Sequence, residues 1–149
     1  MAHVDIEEFS DAQPIGSTQK GTPGSRTWFD AYLGAFNRTD FAAFGAYYND
    51  DVAFFGRAAT LTGREAVLGF YRMVRARIDE HIELVSFVGS DEQCAAEIIT
   101  NLMPLEDWPD FPAGPLRQGE LRRSVNFVFY DISDGRFSRI RSAGFQRLV

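Results

Sequence analysis

The hydrophobic period of this chain changes once, near His81, and that change limits its fold more than any other feature. Before it, apolar residues recur every three or four positions. After it, they alternate. Trp28, Tyr32 and Phe36 repeat at four-residue spacing with Phe29 and Leu33 beside them. This stripe predicts a helix capped by Ser25 or Thr27 and ended at Asn37 and Arg38. Asp40 caps a second, short helix with Phe41, Phe44 and Tyr48 on one side. Asn49-Asp50-Asp51 reads as a turn. Val52 to Phe55 and Ala58 to Leu61 read as short strands around Gly56-Arg57. Thr62 and Glu65 form a capping box. The helix it opens carries Val67, Tyr71, Val74 and Ile78 on one face.

Beyond His81 the alternation predicts strands over Ile82 to Val88, Gln93 to Leu105, Gln118 to Asp131 and Arg136 to Leu148. Gly89-Ser90-Asp91 and Ser133-Asp134-Gly135 supply turns. Three prolines between Glu106 and Pro115 forbid a regular ladder, so that stretch is a loop. Helices first and a meander of strands after mean α+β with a mostly antiparallel sheet. Strands this long twist and curl. A curled sheet around three N-terminal helices makes a cone, closed by side chains at one end and open as a pocket at the other. The 149 residues suit one domain, here 27–149. Residues 1–26 read as an arm, because Gln13 to Ser25 is rich in Gly, Ser, Thr and Pro and has no period. It is expected to be flexible or packed on a partner subunit.

A formal net charge of −6 argues against a nucleic-acid partner, since phosphate backbones need clustered Lys and Arg. No stretch approaches the ~20 apolar residues of a membrane span, and Met1 to Asp11 is acidic without an apolar core. No membrane partner and a cytoplasmic location are therefore expected. Cys94 is the only cysteine, which rules out an intrachain disulfide and suits an inert buried thiol. His3 and His81 make no ligand pattern, so no metal is expected. No Gly-rich phosphate loop is present either, and no cofactor is expected.

Three segments carry a resemblance. They are Trp28-Phe29-Asp30-Ala31-Tyr32-Leu33-Gly34-Ala35-Phe36-Asn37, then Tyr47-Tyr48-Asn49-Asp50-Asp51-Val52-Ala53-Phe54 with Leu61-Thr62-Gly63-Arg64-Glu65-Ala66-Val67, and the hairpin from Phe127 to Arg141. In this order and spacing they resemble the SnoaL-like polyketide cyclases and the ketosteroid isomerase-like proteins of the nuclear transport factor 2-like superfamily. The resemblance implies an NTF2-like (cystatin-like) cone. It places Tyr32 where the isomerases carry an oxyanion-hole tyrosine, a donor to a carbonyl oxygen as it becomes an enolate. It places Gly56 where they carry a carboxylate base, and a glycine removes no proton. It places Asn126 where both families hold an acid; an amide can donate to an oxyanion but cannot be a base. Dehydratases of this fold use paired histidines, and the second is missing. The epoxide hydrolases use an Asp-Arg-Asp group, where this chain offers Ile98, Thr100 and Ser142.

Other residues remain as candidates. Glu97 and Asn101 share a face of one long strand. If that face is concave, Glu97 is a buried carboxylate with a raised pKa. If convex, it is a solvent or interface residue. His81 opens a strand and reads as a surface corner. Trp28, Phe54, Tyr71, Met103, Val128 and Ile140 would wall an apolar cavity or simply fill a core. Trp108 and Phe111 would cover its mouth, while Ser142 and Gly144 leave room in it. Val125, Phe127, Phe129, Phe137 and Phe145 would make the other sheet face apolar as well, which implies a cover. A second copy of the chain is the simplest one, in an isologous dimer. Arg139 and Arg141 fall on that face and need partners. Two functions stay open: an enzyme on a small, mostly apolar carbonyl compound, and a non-catalytic dimeric ligand-binding or accessory module.

Overall fold

A computed structural model describes residues 21–149. The expectation of an arm therefore lies outside the described residues for positions 1–20. Ser25 caps helix α1 (Arg26–Asn37), its side chain accepting from the Trp28 N–H. Asp40 caps α2 (Phe41–Gly45) in the same way through Ala43. Strand β1 (Tyr48–Phe55) and the short β2 (Thr60–Thr62) follow, then α3 (Arg64–Arg77). The remaining strands are β3 (Ile78–Gly89), β4 (Gln93–Pro104), β5 (Arg122–Ser133) and β6 (Arg136–Arg147). Among the described residues, α2 is a single turn and α3 follows the first two strands, so the helices do not form one N-terminal block.

Several local expectations change. Asn49-Asp50-Asp51 lies inside β1 instead of forming a turn. The capping box does not form. Gly63 is the N-cap of α3 at φ 101°, a backbone state that favours glycine. Its N–H goes to the Val52 carbonyl at 2.8 Å, which keeps Thr62 in the β-ladder. The third helix also ends earlier. Ile78 extends to φ −137° and opens β3 with no intervening loop.

The six strands run in the order β2-β1-β6-β5-β4-β3. The sheet is mixed, because β1 pairs with β6 in parallel while every other pairing is antiparallel. It is curved, in an α+β NTF2-like arrangement. Register shifts at Leu84/Ser86, Val125/Asn126 and Asp131/Ile132 mark bulges that bend the strands. One of them reverses an expectation. Ile132 pairs with Phe137 and Asp131 with Arg139, so Ser138 is the extra residue. Phe137 consequently turns inward and is fully buried. Val125 is buried too, so the exposed outer ridge consists of Phe127, Phe129 and Phe145.

The narrow end of the cone is filled with rings. Phe137 meets Tyr32 edge-on at 4.9 Å and Trp28 at 5.0 Å, and lies 4.7 Å from Tyr130. Phe29 packs on Tyr130 and Phe87. Each well-placed aromatic pair adds about 0.5–1.5 kcal/mol beyond burial. Trp28 belongs to this packed end and not to a cavity wall. A second cluster of Val74, Ile78, Leu102, Trp108, Phe111 and Leu116 ties the proline-rich loop to the wide end.

Candidate functional site

Alternation along the long strands decides which side chains look into the cone. On β4 the inward set is Ile98, Thr100 and Leu102, and on β5 it is Arg122, Ser124, Asn126, Val128 and Tyr130. On β6, Ile140 and Ser142 face in. These residues, with Phe54, Tyr71 and Phe111, enclose a hollow of about 150 Å³. An apolar cavity of this order holds one benzene-sized ring.

The same alternation turns Glu97, Asn101 and Met103 outward. Glu97 accepts from the Ser86 hydroxyl at 3.0 Å on the outer face. Asn101 is held between Glu83 and Arg123, each at 2.8 Å. None of the three lines the hollow, and Glu97 is no buried carboxylate. Trp108 also stays out of it. Its ring lies under the Arg77 guanidinium, 3.6 Å from ring centre to Cζ, and beside Phe111, which does reach the hollow. Asp131 partners Arg139 at 2.7 Å and Arg141 at 3.5 Å on the outer face.

Tyr32 reaches the cavity wall, but its hydroxyl is shared with Tyr48 at 2.8 Å. Burial pushes both phenols far above the usual tyrosine pKa, so both stay protonated. Tyr71 is raised by burial as well, with the Glu80 charge adding to it. Asn126 is buried and held on three sides. Its amide donates to Thr100 Oγ1 at 2.9 Å and weakly to Ser124 Oγ at 3.4 Å, and its carbonyl accepts from Arg57 at 3.4 Å.

Sequence reasoning missed Glu80, the carboxylate that does line the hollow. It sits on β3 at the start of the strand, opposite Leu102, with its side chain 12% exposed. Burial pushes its pKa up to about 7, although Arg75 pulls the other way. Arg75 Nε lies 3.8 Å from Glu80 Oε1, an ion pair too long for a hydrogen bond. The guanidinium directs its hydrogen bonds to the Phe36 carbonyl at 2.7 Å and to Thr39, and stacks over the Phe36 ring. The carboxyl is thus held near a cation without a hydrogen bond to it. A signal was present: Ile82 faces inward, and a residue two positions earlier on the same strand must do the same.

Gly56, where the resemblance places the isomerases' base, lies in the wall with the Phe54 ring against it. A Cβ there would come 2.5 Å from that ring. Among the described residues, no group of three or more His, Cys, Asp or Glu is placed to hold a metal ion. No helix among them is long and apolar enough to cross a membrane.

A bent mixed sheet around a side-walled hollow defines the NTF2-like class. The chain belongs within it to the SnoaL-like domain family, whose pattern matches residues 26–140. Its fold is similar to a SnoaL-like polyketide cyclase from Agrobacterium tumefaciens, at 24% identity over 78% of this chain and 87% of that one, TM-score 0.63. It is also similar to an NTF2-like protein of unknown function from Burkholderia pseudomallei, at 17% identity over 78% and 87%, TM-score 0.64. An LEH-like epoxide hydrolase from M. tuberculosis shares 14% identity over 78% and 79%, TM-score 0.63. At such identities the likeness establishes the fold, and chemistry must be argued from the site. A comparison with curated proteins finds no match.

Proposed function

We propose that this chain is a general acid–base enzyme acting on a small, ring-sized carbonyl compound, with Glu80 as the group that moves the proton. One observation carries the reading: the cavity wall holds a nearly buried carboxyl, and that burial pushes its pKa up to about 7. Such a group is divided between acid and base near neutrality, where proton transfer is most effective. Glu80 takes a proton from the carbon beside the carbonyl. The C–H electron pair becomes the enolate double bond, and the carbonyl oxygen gains the charge. The Tyr71 hydroxyl, protonated and on the same wall, donates to that oxygen. In a β,γ-unsaturated compound the enolate is conjugated, and return of the Glu80 proton to the γ-carbon completes an isomerisation. Alternatively the enolate carbon attacks a second carbonyl, whose π pair goes to its oxygen and takes the Glu80 proton, completing a cyclisation.

The test is hydrogen–deuterium exchange next to the carbonyl of cyclohexanone in D2O, followed by NMR. The expected result is exchange faster than in buffer, falling about 100-fold or more in Glu80→Gln. Exchange at the buffer rate, or a Glu80→Gln variant as fast as wild type, contradicts it. A non-catalytic pocket is the second reading, favoured by the amide of Asn126 at a position where related enzymes hold an acid. On that reading ring compounds bind, and no exchange occurs.

We further infer that the outer face pairs with a second copy of the chain. Phe127, Phe129 and Phe145 stand exposed there, the first and last in ring contact at 5.1 Å. Sedimentation should give a dimer that Phe129→Glu converts to monomer; a wild-type monomer sinks the idea.

A further inference from the structure

The mouth of the hollow carries positive charge without a matching carboxylate. Most arginines of the described residues lie within 4 Å of an Asp or Glu, including Arg64, Arg75, Arg77, Arg123, Arg139 and Arg141. Arg57 and Arg122 both line the hollow, and neither has an acidic partner among the described residues. Their hydrogen bonds are long and to neutral atoms. Arg57 reaches Asn126 Oδ1 at 3.4 Å, and Arg122 reaches the Gly114 carbonyl at 3.5 Å.

A glycine on the facing strand leaves space for the Arg57 guanidinium. Gly144 pairs with Asn126 across β5 and β6, and a Cβ on it would sit 2.8 Å from the Arg57 guanidinium carbon. Arg122 is partly buried, and burial together with the nearby charges of Arg147 and Arg57 pulls its pKa down. Like charges gathered beside the hollow repel one another, and that repulsion raises their energy. An anion there would relieve it.

We propose that Arg57 and Arg122 bind the carboxylate of the ligand, so that the substrate class is a small cyclic or aryl carbonyl acid with its ring in the hollow. The proposal deepens the reading of the hollow as a small-molecule site and rests on it. The register supports the fit. Glu80 pairs with Leu102 and Leu102 with Arg122, so the two charged residues stand two strands apart on one face. Neighbouring strands are about 4.8 Å apart, which puts their backbones roughly 10 Å from each other. A six-membered ring with one carboxylate spans from the arginines towards Glu80. The Ser124 hydroxyl, which accepts from Asn126, keeps its own proton to donate at the same end.

The test compares benzoate with benzamide, which has the same ring and no charge, by titration calorimetry at low salt. Wild type should bind benzoate at least about tenfold more tightly, the difference between a charge-assisted and a neutral hydrogen bond. Arg57→Gln with Arg122→Gln should bring the two ligands to parity while benzamide binding is retained. Equal wild-type affinities overturn the proposal and leave the pocket standing. A benzoate preference that survives in the double variant overturns the assignment to these two residues. Binding of neither compound overturns the anion site and the hollow as a ring site together. The wild-type ratio needs no variant to fold. In Glu80→Gln the benzoate preference should persist even where proton exchange is lost, which separates this proposal from the assignment of the base.

Discussion

The two ends of the cone use the same sheet face to opposite effect. At the narrow end Trp28, Phe29, Tyr32, Tyr130 and Phe137 pack ring against ring; the Tyr32 and Tyr48 hydroxyls share a hydrogen bond, and the buried Tyr47 hydroxyl beside them has no partner among the described residues. At the wide end Glu80, Arg57 and Arg122 border a hollow with polar contacts of 3.4 Å or longer, and Asn126 beside them is held by Thr100 at 2.9 Å. The difference teaches where the energy of the fold resides and where its chemistry can. A region filled with packed rings stabilises and leaves no room for a ligand. A region with charged groups and unfilled space contributes less to stability and is ready for a ligand.

The largest effect should come from the packed end. Phe137→Ala empties a fully buried site surrounded by rings. It should cost about 3–5 kcal/mol in chemical denaturation. A loss under about 1 kcal/mol would break the contrast between the two ends.

Next is the pH dependence set by Glu80. Its folded pKa of about 7 lies above the ordinary 4.5, so between those values the native state keeps a proton that the unfolded chain has released. Its contribution to stability is therefore complete below about pH 4.5 and is lost as pH rises through 7. The loss is on the order of 3 kcal/mol, at 1.36 kcal/mol per pKa unit. Glu80→Gln should flatten the stability profile across that window in denaturant melts. An unchanged profile would mean that the carboxyl is not buried as described.

The smallest effect sharpens the comparison from the polar side. Tyr48→Phe removes one partner of the Tyr32 hydroxyl. It should lower stability by about 1–3 kcal/mol, read from thermal unfolding, because a buried hydroxyl is left unmatched. No measurable change would show that the hydroxyl finds another partner in the hollow.

Much of this architecture was legible in the residues. The spacing of Trp28, Tyr32 and Phe36, the caps Ser25 and Asp40, and the alternation of the long strands follow from local geometry and give the elements directly. The site was less legible, for physical reasons. Phe137 faces inward only because Ser138 is an extra residue in the ladder, and a bulge leaves alternation in sequence unbroken while reversing it in space. The outward direction of Glu97 was readable from its neighbour Ile98, since adjacent strand residues oppose each other. Glu80 is legible only if the inward phase of Ile82 is carried back before the expected start of the strand. Helix passes into strand at Arg77 and Ile78 with no turn between them, so a reading that ends the helix at Ile78 assigns Glu80 to neither face. The arginine pair at the mouth depends on residues far apart in the chain, Arg57, Arg122 and Gly144, and spacing alone cannot bring them together.

The most direct measurement is a carbon-13 NMR titration of the Glu80 side-chain carboxyl, with and without benzamide. The account predicts a midpoint near pH 7 that moves when the neutral ring occupies the hollow. A midpoint in the ordinary carboxylate range near 4.5, indifferent to the ring compound, would contradict it.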